Sequence, residues 1–183
     1  MLSRLKLYIL TLMLTTATVQ VRAQLFAVST DVAWDALSTP NIAFELGTGE
    51  RTTLLLSGMY CPKMMGNQMK ALVLQPEYRY YFGGRPMNHE FVGLGAIFTA
   101  YDVDWSKHIY RGEAFGLGAT FGYVFSLARR VVVDLHAGFG FIHYSHREFY
   151  EGDHYEYFSQ EKNSKGWWIL PTRIGLSLSY ILK

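Results

Sequence analysis

From Arg173 to Tyr180 apolar and polar positions alternate without a break: Ile174, Leu176, Leu178 and Tyr180 take one parity, Arg173, Gly175, Ser177 and Ser179 the other. That is the period of a β-strand with one greasy and one polar face. The same period recurs upstream. It predicts strands over Phe26 to Ala36, Asn41 to Gly47, Arg51 to Tyr60, Leu72 to Phe82, Phe91 to about Asp104, Ala114 to Leu127 and from Val131 through Phe141. With the C-terminal strand the count is eight. In the sixth strand Phe115, Leu117, Ala119, Phe121, Tyr123 and Phe125 oppose Gly116, Gly118, Thr120, Gly122 and Ser126. In the seventh, Val131, Val133, Leu135, Phe139 and Phe141 oppose Asp134, His136, Gly138 and Gly140.

The polar parity is rich in glycine, hydroxyls and charge, whereas the apolar parity carries large side chains and no charge across its middle. A closed antiparallel cylinder with small and ionic groups inside and its oily face outside satisfies that inversion in lipid, because every backbone group pairs and no edge is left. The expected fold is therefore all-β, an eight-stranded antiparallel transmembrane β-barrel. A soluble lipocalin-like barrel or sandwich is the competing reading; it would turn its large aliphatics inward and its charges outward. An even strand number puts both termini at one end. Links three, five and seven, the last from Tyr144 to Leu170, are the longer ones, as external loops of such barrels are. Two aromatic girdles are expected: Tyr80, Phe82, Tyr123, Phe125 and Tyr180 at one border, Trp34, Tyr60, Trp167 and Trp168 at the other. Leu55 breaks the alternation of the third strand, and Pro76 in the fourth predicts a local distortion of the ladder.

The N-terminus adds a compartment. Arg4 and Lys6 precede an apolar run from Leu7 to about Val19, and Val21-Arg22-Ala23 has the short residues of a cleavage site, so residues 1–23 read as a signal peptide and 24–183 as the barrel. A membrane anchor helix would need a longer apolar stretch. The leader takes Arg4, Lys6 and Arg22 from the 17 basic side chains and no acid, so 14 face 15 acidic ones in the mature chain. No basic run survives that could track a phosphate backbone, which argues against nucleic acid as a partner. Cys61 is the only cysteine, so neither an intramolecular disulfide nor a cysteine-based zinc site can form.

Glu45, Glu77, Arg79, Asp134, His136 and Arg173 all take the inward parity. In an eight-stranded lumen, filled by side chains and water, they are expected to form an ion network that fixes the barrel, with no continuous pore. Two sharper readings concern the outer rim. His143 and Ser145, with Glu148, Glu151 or Glu156 as orienting acid, resemble the His-x-Ser pair on the lipid-facing side of lipid A deacylases, which are eight-stranded barrels; His143, Ser145 and Glu156 form the alternative hydrolase site. His143, His146, Glu148, Glu151, Asp153, His154 and Glu156 are dense enough for a divalent cation, but their spacing follows no fixed ligand pattern. A solvated loop beside lipopolysaccharide, with Lys162, Lys165 and Trp167 near headgroups, is the plainer account. No cofactor, metal or catalytic residue is assigned.

The segment Pro40 to Glu45, the stretch Leu74-Gln75-Pro76-Glu77-Tyr78-Arg79-Tyr80-Tyr81-Phe82 and the glycine-rich hairpin after Phe91 resemble a family of uncharacterised small outer-membrane barrels common in Bacteroidetes, often found near fimbrial or cell-surface genes. The resemblance implies an outer-membrane location and a structural or adhesion-related surface role. Outer-membrane lipid, lipopolysaccharide and cell-surface appendage proteins are the implied partners. It carries over no catalytic residues.

Overall fold

A computed structural model describes residues 25–62, 69–105, 108–150 and 162–182. The proposed signal peptide, the central part of link seven and the tip of link five lie outside the described residues. The chain forms β1 (Phe26–Asp31), a short helix α1 (Val32–Ala36), β2 (Asn41–Gly47), β3 (Thr52–Cys61), β4 (Met69–Tyr81), β5 (His89–Trp105), β6 (His108–Ser126), β7 (Val131–Tyr150) and β8 (Ser164–Ile181). Each strand pairs antiparallel with the next, and β8 closes on β1, so the eight make a closed barrel. Both described chain ends lie together, where the Leu182 amide donates to the Phe26 carbonyl.

The direction of the side chains settles which face is oily. Phe121, Leu135 and Leu176 are 55%, 53% and 40% exposed, while Glu45, Glu77, Arg79, Asp134 and His136 are buried inside. Leu55, the residue out of pattern, is buried in the lumen with the inward parity of β3. A small apolar cluster of Tyr81, Phe91, Val124 and Val132 fills the lumen toward the end that holds the termini.

Three expectations change. The predicted first strand ends at Asp31 rather than Ala36, because the Asp31 side chain accepts from the Ala33 and Trp34 amides and caps α1. Asp before an apolar run is a favoured N-cap, and the alternation of Val32 and Trp34 concealed it. The described parts of links five and seven are largely strand: β5 and β6 pair out to Trp105 and His108, and β7 and β8 out to His146 and Ser164. Strand pairing needs only backbone groups, so it continues where the side-chain pattern fades.

Pro76 brings the expected local distortion without a register shift: Leu74 pairs Phe98 and Glu77 pairs Gly95 in one frame, and the two intervening positions leave the β5 ladder. The register shift falls instead between Gly138 and Phe139, whose partners are Arg173 and Pro171. Thr172 is the extra residue of this bulge. One inserted residue exchanges the faces beyond it, so Leu170 and Trp168 pair with the inward Gly140 and Ile142. Trp168 therefore leaves the expected outer girdle, and Trp34 leaves it as part of α1. Trp167 and Tyr60 keep their outward positions, and Trp167 packs edge-on against His143 at 4.8 Å.

Candidate functional site in the lumen

β4 presents Glu77, Arg79 and Tyr81 to the interior at every second residue. Arg79 is completely buried, and its guanidinium is the hub: Nε donates to Glu77 Oε1 at 2.8 Å and Nη1 to Asp134 Oδ2 at 2.7 Å, with Glu45 Oε2 at 3.6 Å. Beneath it lies the Phe91 ring, 4.3 Å from the guanidinium carbon to the centroid. Glu45 is held from its other side by the Thr53 hydroxyl at 2.5 Å and the Tyr81 hydroxyl at 2.6 Å. A buried carboxylate needs that many donors, because nothing else replaces its water.

The network runs on in two directions. Arg173 Nη1 reaches Glu77 Oε2 at 3.1 Å and Ser57 at 3.4 Å, so one carboxylate bridges two guanidiniums. His136 stands between Asp134, at 3.5 Å, and Asp31, at 3.4 Å. Asp31 in turn accepts from the Leu176 amide at 3.3 Å while capping α1. The barrel thus brings Glu45, Glu77, Arg79, Asp134, His136 and Arg173 together from four strands. It adds members that sequence reasoning did not single out: Asp31, Thr53, Ser57 and Tyr81. Their inward parity was readable, but which inward groups meet across a lumen depends on strand stagger.

Glycine makes the room. A Cβ on Gly93 would overlap the Glu77 carboxylate, and one on Gly175 the Asp31 carboxylate. Glu77 cannot swing aside, since both arginines hold it. Gly93→Ala is therefore expected to displace it and cost about 1–3 kcal/mol, as overpacking does, read from the thermal unfolding midpoint in detergent; an unchanged midpoint would show the carboxylate to be free.

Above this layer the lumen is less polar. Gln75 crosses it to donate to the Thr172 carbonyl at 2.5 Å, a group that the bulge takes out of the ladder. Higher still, the inner faces of β5 to β8 form a cup of about 480 Å³ walled by Tyr101, Tyr144, His146, Trp168 and Leu170. Tyr101 hydroxyl and His146 Nδ1 lie 2.7 Å apart across it.

Among the described residues, the rim side chains form neither of the alternative sites. His143 and Ser145 share the outward face of β7, where the His143 ring packs on Phe115 and Trp167. Among the described residues no hydrogen bond or ion pair joins His143 to Ser145, and Glu156 lies outside the described residues. His146 and Glu148 have the opposite parity to His143, so the strand itself separates His143 from them as ligands of one ion. Glu151, Asp153 and His154 lie outside the described residues, and among the described ones no three His, Cys, Asp or Glu side chains group as a metal site.

Comparison with known proteins places the chain in one family. A family described only as a protein of unknown function (DUF3575) matches residues 8–182. No curated protein and no solved structure matches the chain.

Proposed function

The chain belongs to the DUF3575 family of proteins of unknown function, and we propose that it is an outer-membrane β-barrel with a structural or cell-surface role and no continuous pore. The observation that carries this reading is the continuous belt of exposed apolar side chains around a buried ionic lumen. On β6 the belt runs from Phe115 to Phe125, matching the roughly 9–11 residues a tilted strand needs to cross the hydrocarbon. Aromatic pairs mark its lower border, with Tyr80 against Phe82 and Tyr123 against Phe125. Its upper border carries Phe115, His143 and Trp167 in contact, and beyond them outward charges begin: Arg111 with Asp102 at 3.1 Å and Lys162 with Glu113 at 3.4 Å. Water on the outside would favour the reverse arrangement.

What fills the cross-section supports a reading without a pore: Arg79, Tyr81 and Phe91 are fully buried and pack against one another at one level. The long strands above the belt, β5 to β8, are what an exported barrel would present to the outside, which favours a surface role over a transport one. The signal peptide and the resemblance to Bacteroidetes outer-membrane barrels agree with that location. The test is fractionation with heat-modifiable electrophoretic mobility. The mature chain is expected in the outer membrane, to need detergent, and to migrate faster unheated than boiled; a chain that stays monodisperse in buffer overturns the reading.

His146 lies beyond the belt, and burial holds its imidazole below the ordinary histidine value despite nearby Glu148. The unfolded chain takes up that proton near pH 6.5 while the folded one resists it, so stability is complete above that pH and falls as the pH drops through it. Imidazole resonances in micelles are expected to give His146 a midpoint below 6.5, and His146→Gln to flatten the acid side of the stability profile.

A further inference from the structure

β1 is much shorter than the strand it closes against. The two pair only from Ala27 with Ile181 to Asp31 with Ser177, yet β8 continues to Ser164 with β7 along its other edge. Among the described residues no strand covers the β1-side edge of β8 from Leu176 upward. That stretch lies within the apolar belt: Ile174 and Ile169 are 51% and 67% exposed, and Trp167 marks the upper border. An open sheet edge facing hydrocarbon is costly. Here α1 stands where β1 would have continued, and two groups reach the bare edge. Trp34 Nε1 donates to the Ile174 carbonyl at 2.8 Å, and Asp31 accepts from the Leu176 amide.

Behind this seam lies a cavity of about 370 Å³, within the range of ligand sites. Its wall passes from the outward-facing Pro171 and Ile174, past Trp34, to the inward Val73 and Ile97. Its polar side offers Ser29, Asn41, Ser57, Gln75 and Arg173. The cavity is thus apolar toward the belt and hydrogen-bonding toward the lumen, and its lining reaches the gap in the wall at Trp34, Pro171 and Ile174.

We propose that this cavity takes the acyl chain of a membrane amphiphile with an uncharged, hydrogen-bonding head, admitted sideways between α1 and β8. The proposal rests on the membrane reading above. A tail fits because the lining reaches the outer face at Ile174, at the depth of the belt, where acyl chains are the solvent. The head must be neutral because the lumen already holds four carboxylates, Asp31, Glu45, Glu77 and Asp134, against Arg79, Arg173 and the His136 imidazole. A further anion would meet an excess of its own sign at low dielectric. An ester or alcohol asks only for donors and acceptors of the kind that Ser29, Asn41, Ser57 and Gln75 provide.

The test uses the mature chain in detergent and a monoacylglycerol whose chain carries two bromines, a short-range quencher of indole fluorescence. Saturable quenching at one probe per barrel is expected, and Trp34→Phe should remove the quenched component. Filling the cavity with Ile97→Phe or, separately, Val73→Phe should weaken binding at least about tenfold without changing the unfolding midpoint of the barrel by more than a few degrees. The matching dibrominated fatty acid, studied at pH 9 as its anion, should bind at least about tenfold more weakly. Quenching that rises linearly with probe, or saturates equally in both filled variants, overturns the proposal for a barrel that still requires detergent. Equal affinity for the fatty acid anion overturns the neutral head. A chain that needs no detergent overturns the membrane reading and this site with it.

Discussion

Arg79→Ala is expected to destabilise the barrel by roughly 3–5 kcal/mol, the cost of leaving buried charge without its partner. Three carboxylates depend on this one guanidinium: Glu77 at 2.8 Å, Asp134 at 2.7 Å and Glu45 at 3.6 Å. None has bulk water to turn to, because all three are buried. Removing the hub therefore costs more than the hydrogen bonds themselves, since each carboxylate must take a proton or stay uncompensated. The measurement is the unfolding midpoint and denaturant curve in detergent or vesicles. Neutralising the carboxylates that lose most separates charge from packing: adding Glu45→Gln and Asp134→Asn to Arg79→Ala is expected to restore a large part of the loss, with Glu77 still held by Arg173 at 3.1 Å. A triple variant no better than Arg79→Ala would show that Arg79 acts by filling space.

Phe121→Arg is the second large effect and tests the outward face directly. Phe121 lies midway along the belt of β6 and is 55% exposed. On a lipid-facing barrel surface a midplane arginine costs about 2–4 kcal/mol, and near the interface about 0–1. On a water-facing surface the same change stays within about 0.5 kcal/mol. Equilibrium unfolding from lipid vesicles distinguishes these outcomes, with Ser145→Arg as the rim control, since its strand partners are Glu113 and Lys165. A neutral result for Phe121→Arg would mean that the belt does not meet hydrocarbon.

Both predictions use information of different depth. That Phe121 faces out and Arg79 faces in was legible from parity alone, because side chains alternate along any strand and the neighbours supply a sign. That Arg79 gathers Glu45, Glu77 and Asp134 was legible only as a need for partners. The partners themselves come from β2, β4 and β7, and their meeting depends on stagger across a lumen. The rim was read least well. His143 and His146 look like a cluster in the chain, yet the strand carries them to opposite faces; Trp168 looks like a girdle residue, yet the Thr172 bulge turns it inward.

Local chemistry explains what the amino-acid order settles unaided: eight periodic segments, an oily exterior and an ionic interior follow from a repeat of two that each segment carries within itself. The early stop of β1, the bulge in β8, the helix that stands in for missing wall and the cavity behind it follow from no single segment. Each depends on how far two strands distant in the chain run alongside one another before one of them leaves. An Asp31 side chain that caps a helix and also holds the Leu176 amide belongs to both elements at once. Only the closed barrel brings them within reach.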